Sequence, residues 1–155
     1  MAEQRTRFVG TYEHGLDDKG RMVLPAKIRV LLGETGMVGM ADGCLGLWTI
    51  EGFDATSDRI AAKVDARTLD KDVLRVFMAS AAEVTPDQQG RVVIPQHLRE
   101  HAGLDSEVVV IGNLDRAEIW AKDSWRSLVL SASPTDIDGA HEGADVSAAF
   151  AAHRF

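Results

Sequence analysis

Apolar positions along this chain fall into short runs, none long enough to be a domain core by itself. Met22-Val23-Leu24 and Val92-Val93-Ile94 are three-residue apolar runs, each preceded by Gly-Arg and followed at once by proline. Runs of that length predict strands that are stable only in company. The prolines suit the first turn of a helix, where a missing N–H costs nothing. The spacing predicts helices over Ala26–Leu32 and Gln96–Ala102, closed by Gly33 and Gly103. Further strands are expected over Gly36–Ala41, Cys44–Ile50, Glu107–Gly112 and Ala117–Ala121, the last two joined through Asn113-Leu114-Asp115. Between Asp54 and Ala79, apolar residues at Ile60, Val64, Leu69, Val73, Leu74, Val76 and Phe77 predict two short amphipathic helices broken near Arg67-Thr68. Asp123 reads as the N-cap of a helix carrying Trp125, Leu128 and Leu130.

The pattern occurs twice. Residues 17–29 read DDKGRMVLPAKIR and residues 87–99 read DQQGRVVIPQHLR. At this constant offset Asp17, Gly20, Arg21, Val23, Pro25 and Arg29 match Asp87, Gly90, Arg91, Val93, Pro95 and Arg99. Chance supplies about one identity in such a window, so duplication is the better explanation. With a two-residue slip, Leu47-Trp48 aligns with Ile119-Trp120 and Phe53 with Trp125; Val9–Glu13 and Ser80–Val84 are in place to supply the strands entering each motif. The expected organisation is a first module at 8–54, a helical spacer at 55–79, a second module at 80–125, and a C-terminal helix with an acidic tail at 126–155. The class is mainly β with short helices, α+β. A module of roughly 45 residues rarely stands alone, so the two must pack together, intertwine or oligomerise.

Charge first argues against nucleic acid and then, on division, permits it. The 155 residues carry 17 basic and 24 acidic side chains, a net charge of -7, which disfavours a protein that coats DNA by bulk charge. Residues 1–30, however, hold six basic against four acidic groups, while 31–126 hold ten against sixteen and 127–155 one against four. The one net-positive segment contains the first motif. Phosphate contact needs a local basic face, and overall acidity suppresses sequence-independent binding. One cysteine, Cys44, excludes an intramolecular disulfide framework and is most simply a buried small hydrophobe. No apolar run approaches the ~18 residues of a membrane span, and Met1–Arg7 lacks the apolar centre of a secretion signal. A cytoplasmic protein is expected.

Asp-x-x-Gly-Arg reads as a tight turn, with the aspartate accepting backbone amides and the glycine supplying a positive φ. Arg21 and Arg91 then begin the outgoing strands. Each guanidinium could bond a guanine edge or a phosphate, or pair with its own turn aspartate; the residues alone leave both open. Arg29 and Arg99, one helical turn past the prolines, are expected to pin helix to sheet by hydrogen bonding. His97-Leu98-Arg99-Glu100-His101 matches H-x-x-E-H, a zinc-peptidase pattern. The corresponding segment Lys27–Leu31 has no such ligands and no third ligand is evident, so the match reads as accidental and no metal or other cofactor is expected. Asp136-Ile137-Asp138-Gly139 places its glycine too early for a calcium loop and reads as solvated tail. No nucleophile–base pair or phosphate-binding loop appears, so neither an enzyme nor a small-molecule substrate is expected.

The doubled Asp-x-x-x-Arg motif, each copy leading into Pro-x-x-x-Arg, resembles the MraZ family. Gly10, Cys44-Leu45 and Glu118-Ile119-Trp120 followed by Trp125 support the likeness, which covers roughly residues 8–126. A single copy would indicate only the wider SpoVT/AbrB-like group. The resemblance implies two tandem AbrB-like swapped-hairpin modules forming a pseudo-dimeric barrel. It also implies a nucleoid-associated regulator of the division and cell-wall gene cluster, assembling as a homo-oligomeric ring on double-stranded promoter DNA that carries direct repeats. By position it places DNA contact at Lys19, Arg21 and Arg91, with Arg7 an additional candidate ahead of the strong match. The second copy has Gln88 and Gln89 where the first has Asp18 and Lys19, so equal contact by the two does not follow. The alternatives are an AbrB-like antitoxin that binds a toxin and its own promoter, and a structural ring without DNA contact. A folded second repeat in place of a toxin-wrapping tail disfavours the first; the net charge suits the second.

Overall fold

A computed structural model describes residues 7–132; the expectations placed on the acidic tail and on Asp136–Gly139 lie outside the described residues. Eight strands and five helices follow one another as β1 (Thr11–Gly15), β2 (Arg21–Val23), α1 (Ala26–Leu32), β3 (Gly36–Ala41), β4 (Cys44–Thr49), α2 (Ile50–Asp65), α3 (Lys71–Ser80), β5 (Ala82–Val84), β6 (Arg91–Val93), α4 (Gln96–Ala102), β7 (Glu107–Asn113), β8 (Arg116–Ala121) and α5 (Lys122–Ser131). The fold is α+β.

The repeats interlock. Six strands form one antiparallel sheet in the order β1-β7-β8-β4-β3-β5, and β2 pairs β6 in a separate two-stranded ribbon. Exchanging each strand for its counterpart in the other repeat turns that order into its own reverse, so the sheet has a pseudo-twofold axis between β8 and β4. The first strand of each repeat leaves its own hairpin and pairs with the other's: β1 with β7, from Thr11↔Ile111 to Gly15↔Glu107, and β5 with β3. The swapped-hairpin expectation is met in this pairing. A closed barrel is not formed, because β1 and β5 end the sheet as edges without pairing each other.

One core lies between sheet, ribbon and the short helices, drawing matched residues from both repeats: Met22 with Val92, Leu24 with Ile94, Ile28 with Leu98, Leu47 with Ile119. All eight are buried. Two seven-residue helices could not hold themselves together in water; their stability comes from Ile28, Leu32, Leu98 and Ala102 packed into this core. A second cluster joins Trp48, Phe53, Ile60 and Phe77 under α2 and α3. Trp48 meets both phenylalanines edge-on at 5.7 and 5.8 Å, a favoured geometry for ring quadrupoles.

Several local expectations are corrected. Pro25 and Pro95 occupy the N-cap rather than the first helical turn, with ψ near 138° and 146°. The spacer helix α2 starts at Ile50 and runs 16 residues, because the Thr49 hydroxyl accepts the Gly52 N–H and caps it there. The break before α3 is where foreseen, with Arg67 at φ 59°. Asp123 is not an N-cap; Ala121 holds that place and Asp123 lies in the first turn, where its charge still suits the helix dipole. No residue of α5 is buried, although Trp125 packs on Trp120 at 5.7 Å. Cys44 is buried as expected, and burial, with the nearby Glu118 carboxylate, pushes its thiol far above the ordinary cysteine range. Among the described residues no helix is long and apolar enough to cross a membrane.

Candidate nucleic-acid interface

The two Asp-x-x-Gly-Arg turns have the same hydrogen bonding. In the first, Asp17 Oδ1 accepts the N–H of Lys19 at 3.0 Å and of Arg21 at 2.8 Å, and Asp17 Oδ2 accepts Arg21 Nε at 2.7 Å. In the second, Asp87 Oδ1 accepts Gln89 and Arg91 N–H at 2.9 Å each, and Oδ2 accepts Arg91 Nε at 2.8 Å. Gly20 and Gly90 donate to the aspartate carbonyls at 3.0 and 2.9 Å, both with φ 80°, a left-handed conformation that glycine adopts without a Cβ penalty. The backbone N–H of the following arginine and then its guanidinium hold each aspartate carboxyl below the ordinary range.

The expected choice between local pairing and an outward-facing arginine dissolves on inspection. Each carboxylate engages Nε, so the terminal Nη groups have no hydrogen-bond partner among the described residues. Both arginine side chains stay close to half exposed, at 44% and 46%. A guanidinium gripped at Nε loses rotamer freedom while keeping the two Nη groups with which it makes bidentate bonds.

The ribbon then brings both arginines onto one surface. Arg21 lies opposite Val93, Met22 opposite Val92 and Val23 opposite Arg91. Since side chains alternate across a strand, Met22 and Val92 enter the core and the other four face outward. A shallow depression of about 350 Å³ runs along this surface, lined by Asp17, Arg21, Val23 and Arg91 among others. Strand-to-turn bonds lock the crossing: Leu24 N–H donates to Gly90 O at 2.9 Å, and Ile94 N–H to Gly20 O at 2.8 Å.

Among the described residues, Arg29 and Arg99 make no side-chain hydrogen bonds that would pin their helices. Each lies over the turn glycine of the opposite repeat, Arg29 over Gly90 and Arg99 over Gly20. Arg99 Nε is buried without a hydrogen-bond partner among the described residues. Packing across the repeats therefore replaces the expected bonding. Lys19 in the first turn is exposed, as is Gln89 in the second. Arg7 is exposed but sits apart, next to Phe8, whose bridge to Leu114 places it at the far end of β1 from the turn. The two histidines of the zinc-like pattern face separate carbonyls, His97 Nε2 at 2.8 Å from Ser80 O and His101 Nε2 at 3.0 Å from Ala41 O.

Val23 and Val93 are the outward residues that sequence reasoning missed. They lie within three-residue apolar runs, yet are 43% and 57% exposed. Strict period-two alternation counted from the buried Met22 and Val92 was the available signal, and a run of three is too short to display it.

Another cleft lies elsewhere, about 520 Å³ between α2, β8 and α5, and includes Trp48, Trp120, Trp125, Arg59 and Glu118 in its walls. Its buried carboxylate is satisfied internally: Glu118 accepts bonds from Arg116, Asn113 and Trp120.

Comparison with known proteins agrees with the duplicated architecture. The sequence profile of the MraZ family, whose description includes the words antitoxin-like, matches residues 7–74 and again 77–140. Proteins named Transcriptional regulator MraZ are similar over most of the chain. The one from Salinispora arenicola is 41% identical across 88% of this chain and 96% of its own length. That from Clavibacter michiganensis subsp. michiganensis is 40% identical across 87% and 95%, and that from Bifidobacterium longum 45% across 82% and 85%.

Proposed function

The chain belongs to the MraZ family, and from that premise we propose that it is a non-catalytic transcriptional regulator that binds double-stranded promoter DNA through its crossed ribbon. The carrying observation is the placement of Arg21 and Arg91 on one outward face, each held at Nε with its Nη groups unbonded among the described residues. A two-stranded ribbon is one of the two elements that the major groove admits. Arg21, Arg91 and Lys19 are the proposed DNA contacts. Asp17, Asp87, Gly20, Gly90, Pro25 and Pro95 shape the turns and helix starts, and Arg29 and Arg99 cover the glycines. Arg7, at the far end of β1, is left to contact flanking phosphate.

Four cations per chain, in a molecule of net charge -7, make a weak monovalent binder. A ring of copies on promoter direct repeats gains by effective concentration; this is the assembly proposed for the cell-wall and division gene cluster, in the cytoplasm at the nucleoid. The test is binding to a promoter fragment carrying direct repeats, with one repeat then scrambled. Wild type should lose at least tenfold in affinity on scrambling, and Arg21→Ala should lose about tenfold on the intact fragment with its oligomeric state preserved. Undiminished binding by Arg21→Ala would leave the structural ring as the better reading, and capture of a toxin with no DNA affinity would leave the antitoxin.

A further inference from the structure

Two exposed valines share the ribbon face with the arginines. Val23 and Val93 are matched across the duplication, as the arginines are, and they stand directly across the ribbon from them: Val93 opposite Arg21, Val23 opposite Arg91. Directly opposed side chains have Cβ atoms about 5 Å apart. The face therefore consists of two equivalent pairs, each one guanidinium beside one branched apolar group, related by the pseudo-twofold axis. Along a strand the pairs are separated by two residues, about 6.6 Å. That is close to two base steps of a duplex at about 3.4 Å each.

In the major groove the group complementary to a small branched apolar side chain is the thymine C5-methyl, and that complementary to a bidentate guanidinium is the guanine O6/N7 edge. Valine cannot contact phosphate or hydrogen-bond a base. On a surface that otherwise offers cations and a turn carboxylate, a group that the valine side chain recognises is an apolar one. We propose that Val23 and Val93 are specificity residues that read thymine methyl groups, each beside a guanine bonded by the arginine across the ribbon, at two places about two base steps apart. This rests on the proposed DNA reading of the ribbon. It adds that the chain discriminates thymine from an otherwise identical pyrimidine lacking the methyl.

The experiment uses the full chain and a duplex enriched by wild-type protein from a randomised double-stranded pool. That duplex is then resynthesised with 2′-deoxyuridine in place of thymidine, position by position. Base pairing is kept and one methyl is removed each time. Wild type should weaken about fourfold at each contacted thymine, the size expected for one buried methyl group, and should be indifferent at the rest. V23A and V93A should each lose discrimination at one of the two positions, and Val→Thr, which keeps one γ-methyl, should retain part of it. Equal binding of thymidine and deoxyuridine duplexes by wild type overturns the assignment. So does discrimination that survives in the V23A/V93A double variant. R21A and R91A on the same duplex separate the two levels: if they weaken binding while deoxyuridine does not, only the valine assignment fails. If neither weakens binding, or if no duplex is enriched, the DNA reading of the ribbon fails, and the valine assignment with it.

Discussion

Asp17–Arg21 and Asp87–Arg91 build the same turn out of different charge. Their hydrogen bonds agree within about 0.1 Å, while the two residues between aspartate and glycine change from Asp18-Lys19 to Gln88-Gln89. Aspartate, glycine and arginine set the backbone, and the middle positions, whose side chains project to solvent, are left for function. The comparison separates what shapes the ribbon from what would tune its proposed affinity for DNA. Even the shaping parts are not equivalent. A Cβ on Gly20 would stand 2.7 Å from the backbone oxygen of Ile94, whereas one on Gly90 would meet the movable end of Arg29.

The largest effect should come from that inequality. Both Gly20→Ala and Gly90→Ala suffer the strain of an L-residue at positive φ, but only the first must also displace backbone. Gly20→Ala is expected to cost about 3 kcal/mol and Gly90→Ala about 1–2 kcal/mol, which thermal unfolding will compare directly. Equal losses would mean that the two turns are as interchangeable in packing as they are in hydrogen bonding.

A smaller effect should follow the charge difference. If Lys19 contacts phosphate and Gln89 does not, Lys19→Gln should reduce the slope of log K against log salt by about one. Gln89→Lys should raise it by about one. Titrations between low and physiological salt will show this; a slope that ignores both changes places phosphate contact elsewhere.

The smallest effect concerns pH. Asp17 and Asp87 have folded pKa values below their ordinary range. Their contribution is therefore present above the ordinary carboxylate value and lost only as pH falls through the lowered one. Thermal stability should not vary with pH on account of these two groups between pH 8 and 5, where their contribution is fully present. Below about pH 4, Asp17→Asn and Asp87→Asn should each flatten part of the acid-side loss. Being solvent-exposed, the two should act alike, and a difference between them would reveal an environment that their bonding does not show.

Much of the fold could be read from the chain because its signals are local. Gly33 and Gly103 close α1 and α4 with positive φ, and the prolines open those helices within a residue of the expected place. The duplication located the ribbon strands. What could not be read is partnership. Nothing in Thr11–Gly15 says that it pairs with Glu107–Ile111 and not with its own repeat, because the β-pattern specifies a face and not a neighbour. The resemblance supplied the swap, and a closed barrel that the open sheet does not form. The site was legible to the same extent: the turn motif displays Arg21 and Arg91, but their common face depends on the cross-repeat register. That register also turned Val23 and Val93 outward and set Arg29 and Arg99 over the opposite glycines.

The central claim is that one ribbon, drawn from both repeats, reads DNA as a unit. Its most direct measurement is the affinity of Arg91→Ala beside Arg21→Ala for the same direct-repeat promoter duplex, with melting temperature and oligomeric state checked for each. The account predicts that both lose about tenfold or more, despite the missing lysine in the second turn. Wild-type affinity in Arg91→Ala, with Arg21→Ala impaired, would contradict it and confine DNA contact to the first repeat.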